Sequence, residues 1–154
     1  MYRTFKDEFN VYFMLEYVNG MELFDVIRDI GYLNNDESKF YIASLILGIE
    51  YLHFKSIIYR DLKPENIMVG ADGYIKIIDF GIAKILVSKG GVCRTATLLG
   101  TPHYMAPEIF EKKGYSFNVD LWSIGVCLFE FMVGFLPFGD DCEDPFDVYR
   151  IVVT

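Results

Sequence analysis

Residues 57–69, IIYRDLKPENIMV, set Arg60, Asp61, Lys63, Glu65 and Asn66 within seven positions and close them in with apolar runs. Apolar flanks of this kind go into a core, and charge left unpaired in a core is costly. The loop must therefore sit at the edge of packed structure and have a use for its charge. What flanks it narrows the fold further. Upstream, Asn34 followed by Glu37 resembles a capping box with Asn in place of Ser or Thr. It opens a long helix over residues 35–54, with Phe40, Ile42, Ala43, Leu45, Ile46, Ile49 and Leu52 apolar. Downstream, IMVGADGYIKIID (67–79) places two short apolar runs around Gly70-Ala71-Asp72-Gly73, which is turn chemistry and predicts a β-hairpin. If Val69 faces Tyr74, antiparallel partner numbers sum to about 143–145. Asn66 then lies close to Asp79 at the open end of the hairpin.

The rest of the chain reads more simply. NVYFMLEYV (10–18) predicts a strand, broken by Gly20. MELFDVIRDI (21–30) carries helical spacing at Leu23, Val26, Ile27 and Ile30, with Gly31 as its stop. Residues 84–101 are loop-like. An apolar helix follows near 118–134 and an amphipathic segment near 143–152. The stretch 121–138 has the length of a membrane span, but Glu130 lies inside it and Asp120 abuts it. A carboxylate is expensive in a bilayer core, so a helix through the centre of a globular domain is expected and no transmembrane segment. Repeats, low-complexity tracts and linker-like stretches are absent.

Composition excludes several functions. A chain of 154 residues that is 53% hydrophobic and 17% aromatic can bury a real core and is not globally disordered. With 14 Lys and Arg against 22 Asp and Glu, net −8, it suits a basic peptide and not nucleic acid, which needs a basic face. Cys93, Cys127 and Cys142 are odd in number and lack CxxC spacing. That argues against a disulfide framework or zinc site and for a reducing, cytoplasmic setting. The opening MYRTFKDEFN has no apolar region of a secretory signal.

The charged loop and hairpin together bring an Asn carbonyl and an Asp carboxylate to one place. Such oxygens suit a hard cation such as Mg²⁺. Asp61, five residues before Asn66, can orient a hydroxyl or accept its proton, and Lys63 can neutralise a phosphate. Taken singly, Asp61 or Asn66 is as well explained as a turn cap, and Asp79 as the partner of a neighbouring cation. The whole array is the set of parts that phosphoryl transfer needs.

These residues carry a resemblance. YRDLKPEN (59–66) resembles the catalytic loop of eukaryotic protein kinases, DFG (79–81) their magnesium motif, and APE (106–108) the end of their activation segment. Tyr59, where most kinases have His, and GTPHYMAPE (100–108) are similar to the cAMP- and cGMP-dependent (AGC-type) group, most like the cGMP-dependent kinases of protists. The implied fold is α+β: a mainly helical C-lobe with a small β-hairpin, plus hinge and one or two strands of the N-lobe. Residues 1–19 would be the end of the N-lobe and the hinge, and 20–154 an incomplete C-lobe.

The resemblance also implies roles. Asp61 would position the substrate hydroxyl, Lys63 would steady the transferring phosphoryl group, and Asn66 and Asp79 would hold Mg²⁺. Leu15, Glu16, Val18 and Met68 would bind the adenine of ATP, and Glu22 its ribose or a basic substrate residue. Ordinary core packing accounts equally for Leu15, Val18 and Met68. Thr97 would be the activation-loop phosphosite, its phosphate pairing with Arg60 and Lys84. Thr101 would contact Asp61 and Lys63. Leu98, Pro102 and Met105 would line a pocket for the residue after the acceptor. Glu65 and Glu130, with Glu22, would recognise basic Ser/Thr protein substrates. Tyr59, Phe80, Glu108 and Asp120 would be structural, Asp120 bracing the catalytic loop. Regulatory cyclic-nucleotide-binding domains would belong to the intact parent.

Departures from the pattern shape the expectation. The chain has no G-x-G, and only Arg3 and Lys6 supply positive charge before the hinge. The family's partner for Glu108 is an arginine expected beyond residue 154, and a buried carboxylate without its partner costs about 3–5 kcal/mol. One side of the 118–134 helix is expected to lie bare. Ser88-Lys89-Gly90-Gly91 reads as an insertion in the activation segment. The sequence thus predicts part of a Ser/Thr kinase that is inactive alone. The alternative is a non-catalytic, pseudokinase-like binding module.

Overall fold

A computed structural model describes residues 1–87, 94–111 and 114–153. The 88–91 insertion and Cys93 lie outside the described residues. Order along the chain is β1 (Arg3–Lys6), β2 (Val11–Met14), β3 (Gly20–Glu22), α1 (Leu23–Ile30), α2 (Asn35–Phe54), β4 (Ile57–Ile58), β5 (Ile67–Gly70), β6 (Ile75–Ile77), β7 (Lys84–Ile85), α3 (Pro107–Phe110), α4 (Asn118–Val133) and α5 (Pro145–Val153). This is the α+β arrangement expected.

Local chemistry sets the element ends. The Asn34 side chain accepts from the amides of Asp36 and Glu37, and Glu37 accepts from the Asn34 amide, closing the capping box of α2. Ser38, Ile42, Leu45 and Ile49 bury one stripe of α2 at alternating four- and three-residue spacing. Phe40 and Ile46, although apolar, fall off that stripe and are about half exposed. Gly134 ends α4 in the left-handed region at φ 84°. A methyl group there would collide with the Gly31 carbonyl, so α4 approaches the end of α1 only because this residue is glycine.

The β5–β6 hairpin pairs Ile67 with Ile77 and Val69 with Ile75. The register is within the expected range, although Val69 faces Ile75 rather than Tyr74. β3 adds to β5, with Glu22 opposite Met68. That third strand was read as the start of a helix, because its pairing partner lies some 48 residues away and leaves no local signal. The strand expected over 10–18 is confined to Val11–Met14, the residues that pair with β1. Asp7 builds the turn between them, accepting from the amides of Phe9 and Asn10. The 84–101 segment is less irregular than expected: β7 pairs with β4, and Thr95 bridges Tyr115.

Two apolar clusters form the core. The larger joins Leu23 and Ile27 of α1, Leu45 and Ile49 of α2, and Ile124, Cys127 and Phe131 of α4 to Tyr59, Leu62 and Ile67 around the charged loop. The smaller gathers Ile58, Leu86, Met105, Ala106, Ile109, Tyr115 and Val119. α4 buries a wide face, including Asp120 and Glu130, and exposes Leu121, Phe129, Met132 and Val133 on the other. No helix among the described residues is long and apolar enough to cross a membrane.

Candidate active site

The charged loop leaves α2 through β4 and returns into β5, so both its ends are held by sheet. Its shape depends on α4. Asp120, fully buried, accepts from the backbone amides of Tyr59 (2.9 Å) and Arg60 (2.8 Å) and pairs with His53 Nε2 at 2.7 Å. One carboxylate thus ties α2, α4 and the loop together. Arg60 follows at φ 73°, an uncommon conformation for a side-chain-bearing residue. The two Asp120 bonds hold the backbone that leads into it.

Beyond that turn the reactive groups converge. Asp61 Oδ1 accepts from the Thr101 hydroxyl at 2.8 Å, and Oδ2 accepts from Asn66 Nδ2 at 2.9 Å. Lys63 Nζ donates to Thr101 Oγ1 at 2.9 Å and lies 3.8 Å from Asp61. Asp61 and Lys63 keep 18% and 21% of their side chains exposed, so a ligand can reach both. Thr101 reaches them from the turn after residue 100, some 40 positions away.

Asn66 commits its amide nitrogen twice, to the Asp61 backbone carbonyl and side chain. Among the described residues its carbonyl oxygen accepts no hydrogen bond, so it could take a cation. The Asn66 backbone carbonyl accepts from the Ile78 amide at 2.9 Å, placing Asp79 next along the chain. Asp79 is exposed at φ 55°, one oxygen accepting from the Gly81 amide. An amide oxygen and an exposed carboxylate oxygen on neighbouring segments suit Mg²⁺, which binds few protein oxygens and keeps places for water and phosphate. Beneath them Tyr59 lies fully buried against Phe80, ring centres 5.3 Å apart, and its hydroxyl donates to the Ile78 carbonyl. Burial, then the charges of Asp61, Asp79 and Asp120, hold its phenol protonated far above the usual range.

The segment that supplies the adenine-binding candidates is open. Leu15 is 61% exposed, Glu16 is exposed and its side chain pairs with Lys76, and Val18 is half-buried. Met68 and Glu22 face each other across β3–β5.

The candidates for the residue after the acceptor do meet. Leu98, Pro102 and Met105 line one groove of about 200 Å³ with Leu99, Gly100, Phe110 and Pro145. The acidic candidates also cluster. Glu130 is 7% exposed and accepts from the Tyr104 hydroxyl at 2.7 Å. Burial pushes its carboxyl up to about 7, the Glu65 and Asp140 charges adding to the shift against the Tyr104 bond. Glu65 Oε2 is buried with no hydrogen-bond partner among the described residues.

One placement differs from the sequence reading. Glu108 is not left unpaired: the Asn118 side chain donates to it, an interaction between two polar groups ten residues apart that no motif signals. Thr97 is exposed, and in this unmodified chain neither proposed cation donates to its hydroxyl. Lys84 donates to Thr95 at 3.0 Å instead. Arg60 donates to the Ile82 carbonyl and to the Tyr115 hydroxyl. His53, Tyr104 and Tyr115 were missed. Nothing in the sequence around them names a partner.

Residues 1–150 match the family described as protein kinase domain. A cGMP-dependent protein kinase of Plasmodium berghei (strain Anka) is 53% identical over 152 residues, 99% of this chain and 17% of that protein. One of Toxoplasma gondii is 52% identical over 152 residues, 15% of its length. A cAMP-dependent protein kinase catalytic subunit of Dictyostelium discoideum is 44% identical over all 154 residues, 23% of its length. The chain spans under a quarter of each of these relatives.

Proposed function

The chain belongs to the protein kinase domain family, and from that membership we propose that it is the catalytic-loop portion of a serine/threonine kinase. The parent transfers the ATP γ-phosphoryl group to Ser or Thr in basic protein segments. It is cytoplasmic and cGMP-dependent, through regulatory cyclic-nucleotide-binding domains. One observation carries this reading above the others: the bonded set of Asp61, Lys63, Thr101 and Asn66.

Asp61 orients the acceptor hydroxyl and takes its proton, because its oxygens are fixed by Thr101 and Asn66 while the side chain stays partly exposed. Lys63 neutralises charge on the phosphoryl group in flight. Asn66 and Asp79 hold Mg²⁺, which offsets the phosphate charge of ATP when bound. Leu15, Glu16, Val18 and Met68 receive the adenine and Glu22 the ribose. The raised carboxyl of Glu130 and the orphaned Glu65 oxygen support a basic substrate, since a guanidinium would supply the missing donors and favour both ionised forms. Phosphorylated Thr97 draws Arg60 and Lys84 from their present partners.

The isolated chain transfers phosphate negligibly, because it carries no G-x-G and no lysine in a V-A-I-K context to clamp the ATP phosphates. The test is Mg·ATP-dependent phosphorylation of a basic Ser/Thr peptide by the parent kinase and by these 154 residues, each with and without Asp61→Asn. The parent should lose roughly 10²–10⁴-fold, the range of a lost general base, and the isolated chain should show no turnover above its Asp61→Asn control. Unchanged parent activity would overturn the role of Asp61. Turnover by the isolated chain that Asp61→Asn abolishes would overturn its inactivity.

A further inference from the structure

Tyr115 is only 2% exposed, yet its hydroxyl is engaged on two sides. It accepts from Arg60 Nη1 at 3.3 Å and donates to the Thr97 carbonyl at 2.5 Å. The Tyr115 backbone meanwhile bridges Thr95 with reciprocal bonds of 2.9 and 2.8 Å. One residue therefore holds the segment at two alternate positions, by main chain at Thr95 and by side chain at Thr97. Its ring is fixed by the apolar cluster of Ile58, Met105, Ala106 and Ile109. Arg60 is held in turn by the Ile82 carbonyl and, through its amide, by Asp120. Among the described residues no carboxylate pairs with its guanidinium, so the tyrosine hydroxyl is one of the few acceptors it has.

We propose that Tyr115 is a positioning residue that fastens the 95–101 segment to the catalytic loop through Arg60, before any modification of Thr97. The consequence is geometric. Thr101, four residues after Thr97, bonds Asp61 and Lys63. Anchoring Thr97 limits how far that hydroxyl can drift from the carboxylate. The relay also holds Arg60 at the Thr97 backbone, within the neighbourhood where a phosphate on Thr97 would arrive. The importance of this tie for catalysis rests on the kinase reading above, but the tie itself is read without ATP or turnover.

Tyr115→Phe removes the hydroxyl and keeps the ring and the Thr95 bridge. In the 154-residue chain, chymotryptic cleavage after Leu98 or Leu99 should accelerate about fivefold, the factor expected when one hydrogen bond is lost from a local opening. Cleavage in the β1–β2 hairpin should not change. Arg60→Lys, which keeps the charge but cannot make the same bond, should accelerate the same cleavages. The double variant should fall short of the product of the two effects, because both remove one relay. A hydroxyl with a merely structural role would speed cleavage everywhere or nowhere. Uniform acceleration, unchanged rates at Leu98 and Leu99, or multiplicative effects in the double variant would each overturn the proposal. If Tyr115→Phe does not fold, Arg60→Lys alone decides it by the same local-against-global pattern.

Discussion

Replacing Glu130 by Gln should stabilise this protein at neutral and alkaline pH. Glu130 lies in the wall of α4, 7% exposed, with the Tyr104 hydroxyl as its hydrogen-bond donor. Burial raises its carboxyl from 4.5 to about 7, helped by Glu65 and Asp140. The folded chain therefore binds the proton more tightly than the unfolded one. Stability from this group is complete below about pH 4.5, falls as pH rises to 7, and stays low above that. A difference of about 2.5 units at 1.36 kcal/mol each sets an upper limit of about 3 kcal/mol. Gln is nearly isosteric, can still accept from Tyr104, and does not titrate. Chemical denaturation of both chains from pH 4 to 9 gives the difference directly. The variant should equal wild type near pH 4.5 and exceed it above pH 7 by up to about 3 kcal/mol, or roughly 6–12 °C in Tm for a domain of this size. Equal pH slopes in the two chains would refute the reasoning. An arginine-bearing peptide adds a second readout: it should bind wild type more tightly at pH 8 than at pH 5.5 and lose that dependence in the variant.

Two further substitutions probe the frame around the site. Asp120→Ala leaves His53 and the buried amides of Tyr59 and Arg60 without their acceptor, and should cost about 3–5 kcal/mol by urea denaturation. Gly134→Ala forces a side chain into φ 84° and against the Gly31 carbonyl, and should cost about 2 kcal/mol or more in thermal melts.

Much of the fold was legible because its signals are local. The Asn34–Glu37 box, the Gly31 stop and the Gly70–Gly73 turn each involve residues within four positions, and each element ends where its cap requires. The hairpin register followed from turn length and alternation. The approach of the Asn66 backbone to the residues just before Asp79 followed from that register. What failed was non-local. β3 exists only because β5 lies beside it. The 10–18 run is shortened to Val11–Met14 because only those residues have a partner strand.

The sequence by itself determined the chemical vocabulary of the candidate site: the carboxylates of Asp61 and Asp79, the lysine Lys63, the amide of Asn66 and the acidic Glu65 and Glu130. It also determined the family, since those residues occur in one order and spacing. Only the tertiary structure decided how the vocabulary is held. Asp120 reaches the loop across some 60 residues to bond two amides. Thr101 reaches Asp61 across 40. Tyr115 joins Arg60 to Thr97, and Asn118 takes the carboxylate of Glu108. The physical reason is common to all four. A short motif records which groups must be present, whereas a hydrogen bond between distant segments depends on how helices and loops pack, and packing is written across the whole chain.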